Sequence, residues 1–199
     1  QSHGDLAFVQ HMIASLNGEG KLGVVMPHGV LFRGSKEKDI RKGIIEKDLL
    51  EAVIGLPAGL FYGTGIPACV LVINRAKPTE RRKKVLFINA ELEYEEGKNQ
   101  NRLRDQDIEH MVRVFESFAG ERRYAHVADM AEIAENDWNL NIRRYADTSP
   151  PPEPYDVRAV LHGGIPKSEI ESDYVQEVMS GFDVGKVFIE KDALYYEFR

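Results

Sequence analysis

Cysteine and tryptophan each occur once in these 199 residues, and no apolar run approaches the roughly 20 residues that cross a bilayer. The lone Cys69 has no partner for an internal disulfide. The first residues carry no basic stretch followed by an apolar core and a small-residue cleavage site. These absences point to a cytoplasmic protein without membrane contact. Positive charge is also in short supply. With 26 Lys and Arg against 32 Asp and Glu, the net charge is −6, the wrong sign for a protein that grips nucleic acid over its whole surface. Any DNA contact is therefore local or shared with a basic partner. The most basic stretch runs from Arg75 to Lys84, six cations in ten residues, and reads as a solvated loop between two strands.

Several chemistries are missing too. There is no Gly-x-Ser-x-Gly elbow and no phosphate-binding Walker loop. The six histidines fall at no metal-ligand spacing, His126 and His162 stand isolated, and Cys69 lies inside an apolar run, so no zinc site is expected.

What the chain does have is alternation. Leu6, Val9, Ile13 and Leu16 at helical spacing predict a helix over 5–16, with Asn17-Gly18 as its stop and Gly18 available for a left-handed cap. Leu22 to Met26 reads as a buried strand, Ser35 as the cap of a helix over 36–47, and Leu49 to Ile54 as a second strand. Helices between strands imply parallel pairing. The rhythm then breaks. A Gly- and Pro-rich loop, Pro57 to Pro67, leads straight into Ala68 to Ile73, and two strands joined without a crossover helix should be antiparallel. Val85 to Asn89 reads as one more strand. Asp105 is read as the cap of a helix to Phe118, with Ile108, Met111, Val112, Phe115 and Phe118 on its apolar face. Met130 to Ala134 reads as a helical turn and 136–141 as irregular. Four prolines within 148–155 mark a linker. Beyond it, a helix over 167–179 and strands over 186–190 and 194–198 form a small tail.

Two motifs are look-alikes. Gly63-Thr-Gly65-Ile-Pro-Ala68 has the spacing of a dinucleotide or methyl-donor loop, but such a loop must open a helix and this one precedes a β-branched run. Pro150-Pro151 resembles part of an Asn/Asp-Pro-Pro-aromatic motif, yet Ser149 and Pro152 replace its amide or acid and its ring. Phe61 and Tyr62, with Thr64 beside them, are the aromatic pair placed in a loop rather than on an apolar face. Flat rings there suit stacking on an extruded base; the competing reading has both rings plugging the core. Trp138 and Tyr145 read as packing residues.

At this point the residues resemble a family. Gly4 to His11, Gly20 to Phe32, Leu60 to Ile73, Asn99-Gln-Asn-Arg102 and Glu135 to Tyr145 are similar, in order, to the second half of the modification (M) subunit of type I restriction-modification systems. The likeness covers about residues 4–147. It implies the C-terminal part of a class I S-adenosylmethionine-dependent α/β sheet, mostly parallel and ending in an antiparallel hairpin, with 24–26, 50–54 and 68–73 as its last three strands. It also implies methylation of adenine at N6 after base flipping, with S-adenosylmethionine bound mainly by the preceding half. The donor loop and the Asn-Pro-Pro-aromatic motif belong to that half, so no catalytic or cofactor residue is assigned here, and the segment alone is expected to be inactive. Partners implied are DNA, a specificity subunit, a second M subunit and, in restriction complexes, a restriction subunit. The expected organisation is 1–147 as part of the catalytic domain, 148–155 as linker, and 156–199 as a helix-plus-hairpin α+β tail that docks a subunit. The alternative is a non-catalytic module that docks the specificity subunit.

Overall fold

A computed structural model describes residues 4–149, 156–178 and 184–199. The Pro150-Pro151 look-alike and most of the expected linker lie outside the described residues. The chain divides into two compact units, Gln1–Ser149 and Pro150–Arg199. Among the described residues, no helix is long and apolar enough to cross a membrane.

The first unit is a five-stranded sheet covered by helices. Its elements are α1 (Asp5–Ser15), β1 (Lys21–Pro27), α2 (Lys36–Glu46), β2 (Leu50–Gly55), β3 (Ala68–Asn74), β4 (Lys84–Asn89), α3 (Asp105–Ser117), β5 (Ala125–Asp129) and α4 (Met130–Glu135). The strand order is β1-β3-β2-β4-β5. β3 is inserted between β1 and β2 and runs antiparallel to both, as the short loop requires. β2 and β4 are parallel and β5 is antiparallel to β4, so β1, β2 and β4 share one direction in a mixed sheet. β5 has no counterpart in the sequence reading. Its five residues, Ala-His-Val-Ala-Asp, hold few strand formers, and tertiary pairing with β4 decides the conformation.

α1, α2 and α4 cover one face of the sheet, where Leu6, Val9, Ile45, Val53, Ile73, Phe87 and Ile133 are fully or almost fully buried. α3 covers the other through Met111 and Val114, over Leu86 and Ile88. It does not reach β1, so that strand differs from the buried one expected: Met26 packs inward, while Val25 on the opposite face is 50% exposed. The outward side of α3 also departs from expectation, since Ile108 and Val112 face solvent.

Helix ends show where local rules gave way to tertiary ones. α1 stops at an extended Leu16, not at a left-handed Gly18. A distant side chain supplies its cap: the Arg75 guanidinium donates to the carbonyls of Leu16 (2.9 Å) and Ile13 (3.3 Å). Ser35 stands at the start of α2 but makes no capping bond through its side chain. α3 starts at Asp105 as expected, but Asp105 is its first helical residue and not its cap: Asp107 reaches back to the Arg104 amide (2.9 Å) and guanidinium (2.8 Å). Asp129 caps α4 by accepting from the amides of Ala131 and Glu132, both at 2.9 Å.

The basic stretch is not simply a solvated loop. Arg82, Lys83 and Lys84 are exposed, but the Lys77 side chain is only 2% accessible. Its ammonium donates to Asp48 (2.6 Å) and to the carbonyls of Lys84 (2.7 Å) and Leu50 (3.1 Å). Arg81 pairs with buried Glu51 (3.2 Å), which also accepts from Asn74 (2.9 Å), and lies over the rings of Phe118 and Phe115. These cations bind the start of β2 to the start of β4 and to α3. Trp138 and Tyr145 are packing residues, as expected; Tyr145 stacks on Phe87 with ring centroids 3.8 Å apart.

The second unit holds α5 (Val157–His162), β6 (Ile165–Pro166), α6 (Lys167–Ile170), α7 (Asp173–Val178), β7 (Phe188–Glu190) and β8 (Tyr195–Phe198), with the strands in one sheet of order β6-β8-β7. The single helix expected over 167–179 is two helices; Ser172 breaks it, its hydroxyl donating to the Glu169 carbonyl (2.7 Å) and accepting from the Val175 amide.

Two stability predictions follow from these buried groups. Lys77→Ala strips Asp48 and two carbonyls of their donor and should lower the unfolding free energy by about 3 kcal/mol, read by urea denaturation. A change within 0.5 kcal/mol would show that the buried ammonium contributes nothing. His28, at the end of β1, is held below its ordinary value of 6.5, first because burial disfavours the imidazolium. Its Nε2 is buried with no hydrogen-bond partner among the described residues. The unfolded chain therefore binds the proton more readily, and stability falls as pH drops through 6.5. His28→Gln should flatten the melting temperature between pH 7 and pH 5.5; an unchanged slope would refute the assignment.

Candidate functional site

Open α/β sheets bind ligands beyond the carboxyl ends of their strands. Here the β2–β3 loop, 56–67, occupies that edge because β3 must reverse direction within a few residues. Its entry is fixed by Leu56, which is buried and donates its amide to the Ala68 carbonyl at 2.9 Å. Gly59 and Gly63 take φ of +70° and +74°, the left-handed conformation that favours glycine, and turn the chain on either side of the aromatic pair.

Phe61 is 42% exposed and Tyr62 86% exposed, so neither ring plugs the core. Thr64 closes a local turn, its hydroxyl accepting from the Ile66 amide at 3.1 Å. Phe61 and Thr64 meet Val25, Met26, Pro27 and Ile66 around an open pocket of 240 Å³. The structure thus joins Phe61 and Thr64 to the carboxyl end of β1 and leaves Tyr62 off the pocket wall. A larger groove, 520 Å³, lies between α1 and α2 and includes Leu49 and Arg75, at the amino end of β2. It is the wrong end of the sheet for a site, and its Arg75 already caps α1. The pocket beside Phe61 is the better candidate despite its smaller volume. Ala68, the last residue of the Gly63-to-Ala68 look-alike, opens β3, so no helix N-terminus follows that loop.

Two further groups of polar residues gather at this edge. The segment 99–102 lies against the loop: the Asn101 side-chain amide donates to the Ala58 carbonyl (2.9 Å), the Asn101 backbone amide to the Gly59 carbonyl (2.9 Å), and the Gln100 side chain to the Leu60 carbonyl. Glu91, just past β4, accepts from Arg143 (3.0 Å) and from the Thr148 hydroxyl. Sequence reasoning gave no role to Gln100 or Asn101. Their partners are backbone carbonyls some forty residues upstream, and no spacing or period encodes such a contact. His126, expected to be isolated, pairs with Glu132 at 2.9 Å. Among the described residues, no three His, Cys, Asp or Glu side chains gather as a metal site.

Residues 1–153 match the family described as N-6 DNA Methylase. The chain is 41% identical over 178 residues to the type I restriction enzyme MjaVII methylase subunit of Methanocaldococcus jannaschii, an alignment covering 88% of this chain and 30% of that protein. It is 32% identical to the MpnII methylase subunit of Mycoplasma pneumoniae, over 81% of this chain and 29% of that one. A solved type I restriction-modification system methyltransferase subunit from Streptococcus thermophilus superposes with a TM-score of 0.69 at 41% identity, over 73% of this chain and 31% of that chain. The chain thus spans about a third of the length of these relatives. It belongs to the N-6 DNA methylase family, as a segment of the kind found in type I restriction enzyme methylase subunits.

Proposed function

We propose that these residues are the C-terminal part of a type I restriction-modification methylase subunit, and that the 56–67 loop is the base-side wall of its substrate site. In this reading the whole subunit methylates N6 of an adenine flipped out of DNA, in the cytoplasm. The observation that carries it is the placement of Phe61: a half-exposed ring on a glycine-flanked loop, over a pocket at the carboxyl end of the sheet. Enzymes that act on a base within a duplex must extrude it, and an exposed ring gives the extruded base a face to stack on. Thr64 and Met26 also line that pocket, and Tyr62, exposed beside it in the same loop, takes the lesser part in this reading.

S-adenosylmethionine is the methyl source this reading implies. The residues present do not fit a site for it, since the glycine loop that has the right spacing enters a strand instead of a helix. Donor binding and the group that orients the adenine amine are therefore assigned to the rest of the subunit, and the 199 residues alone should neither bind the donor tightly nor methylate DNA. Partners in this reading are DNA, a specificity subunit that reads the sequence, a second methylase subunit and, in restriction complexes, a restriction subunit. A docking role for 156–199 draws support from α5, which exposes Val157, Val160 and Leu161. The acidic net charge fits a division of labour in which other surfaces supply the basic DNA grip.

The test uses the full-length subunit assembled with its specificity subunit. Phe61→Ala should weaken target binding by roughly 1–3 kcal/mol, the range for base–aromatic stacking, and change folding stability by less than about 1 kcal/mol, since the ring is outside the core. Tyr62→Ala should have the smaller effect on binding. Loss of several kcal/mol of stability with unchanged methylation per folded molecule would sink the base-wall reading.

A further inference from the structure

The loop that presents Phe61 has little to hold it by itself. It carries two left-handed glycines and, apart from Leu56 and Pro57, no buried side chain before Ala68, with Leu60 half-buried against the core cluster under α3. Left alone, such a segment samples many conformers, and only a fraction of them would hold the ring over the pocket. Yet the carbonyls of three successive residues immediately before Phe61, those of Ala58, Gly59 and Leu60, are each claimed by a donor from just two residues, Asn101, Asn101 again and Gln100.

We infer that Gln100 and Asn101 are positioning residues that clamp the Ala58–Leu60 backbone and so hold Phe61 where the base must stack. The inference rests on the base-wall reading above. The clamp is itself anchored. Glu95 and Arg102 exchange backbone hydrogen bonds of 2.9 and 3.1 Å and form an ion pair at 2.7 Å, closing the 95–102 segment at its base. The Asn101 side-chain oxygen accepts from the Gly97 amide (3.4 Å), which turns the amide nitrogen toward the loop. The apposition is tight, and so is the turn that carries Gln100. A Cβ at Gly59 would sit 3.2 Å from that nitrogen, and one at Gly97 would lie 2.0 Å from the Gln100 carbonyl oxygen. Neither Gln100 nor Asn101 is a core residue, and the side chains of both bond backbone groups, so their contribution is to geometry more than to packing.

The experiment compares Asn101→Asp, Gln100→Ala and Phe61→Ala in the full-length subunit with its specificity subunit. Asn101→Asp keeps the acceptor for the Gly97 amide but turns a carboxylate oxygen toward the Ala58 carbonyl, which releases the loop without emptying the site; Gln100→Ala removes the second anchor independently. Amide hydrogen exchange over 58–66 should rise roughly 5- to 10-fold in each clamp variant, with melting temperature unchanged. The KM for DNA should rise by a similar factor while kcat at saturating DNA is retained, because a loop that is competent only part of the time weakens apparent affinity in proportion. Unchanged exchange in both clamp variants overturns the inference, as does faster exchange with unchanged KM. If KM rises in Phe61→Ala but in neither clamp variant, the base wall stands and the clamp falls. If KM is unchanged in Phe61→Ala as well, the base-wall reading fails by its own measurement, and the exchange data still report whether the clamp orders the loop.

Discussion

β3 hydrogen-bonds along both edges, to β1 from Lys21–Asn74 through Pro27–Ala68 and to β2 from Leu50–Ile73 through Gly55–Cys69. A strand buried between two others must satisfy every backbone donor and acceptor, and a strand antiparallel to both neighbours must be entered from their carboxyl ends. That constraint places the 56–67 loop. The α2 crossover already joins parallel β1 and β2; without the inserted strand these two would lie side by side, and no loop would carry the aromatic pair to their carboxyl ends. Cys69, Ile73 and Ala52, at or near zero exposure, show how completely the inserted strand closes the sheet.

The polar residues around this hairpin serve its two ends differently. At the amino end of β2, buried Lys77 and half-buried Arg81 meet Asp48 and Glu51 and fix the start of β2 against the start of β4 and α3. At the carboxyl end, uncharged amides from 100–101 donate to the backbone carbonyls of 58–60. Charge pairing in a low-dielectric setting holds an end rigidly, since either partner left alone would be costly. Amide-to-carbonyl bonds at a half-exposed edge are weaker individually, which suits a loop that must be ordered yet able to adjust to a ligand.

Much of this was legible in the sequence. Periodicity located α1, α2, α3 and four of the five strands of the first unit, and the Pro57–Pro67 loop, with no room for a crossover helix, set the antiparallel pairing of β2 and β3. Phe61 and Tyr62 stood out because aromatic residues between glycines fit no apolar face. What the sequence did not disclose has a common cause: it is decided by residues far apart. Arg75 caps a helix some sixty residues upstream in place of Gly18, β5 exists because β4 offers it an edge, Lys77 is buried under a stretch that composition marks as solvated, and Gln100 and Asn101 act on a loop forty residues before them. Val25 was misread for a related reason. A β-branched run predicts burial, but the helix that covers that face stops short of β1.

The burial of Lys77 also has a chemical signature. Acylating reagents attack the uncharged, solvent-reachable ε-amine, so in the folded chain they should modify Lys83 and Lys84, both exposed, and spare a neighbour six or seven residues away whose ammonium is enclosed by one carboxylate and two carbonyls. The basic stretch therefore contains its own internal control: labelling at Lys83 reports reagent exposure, and labelling at Lys77 reports how often the start of β2 comes away from the start of β4.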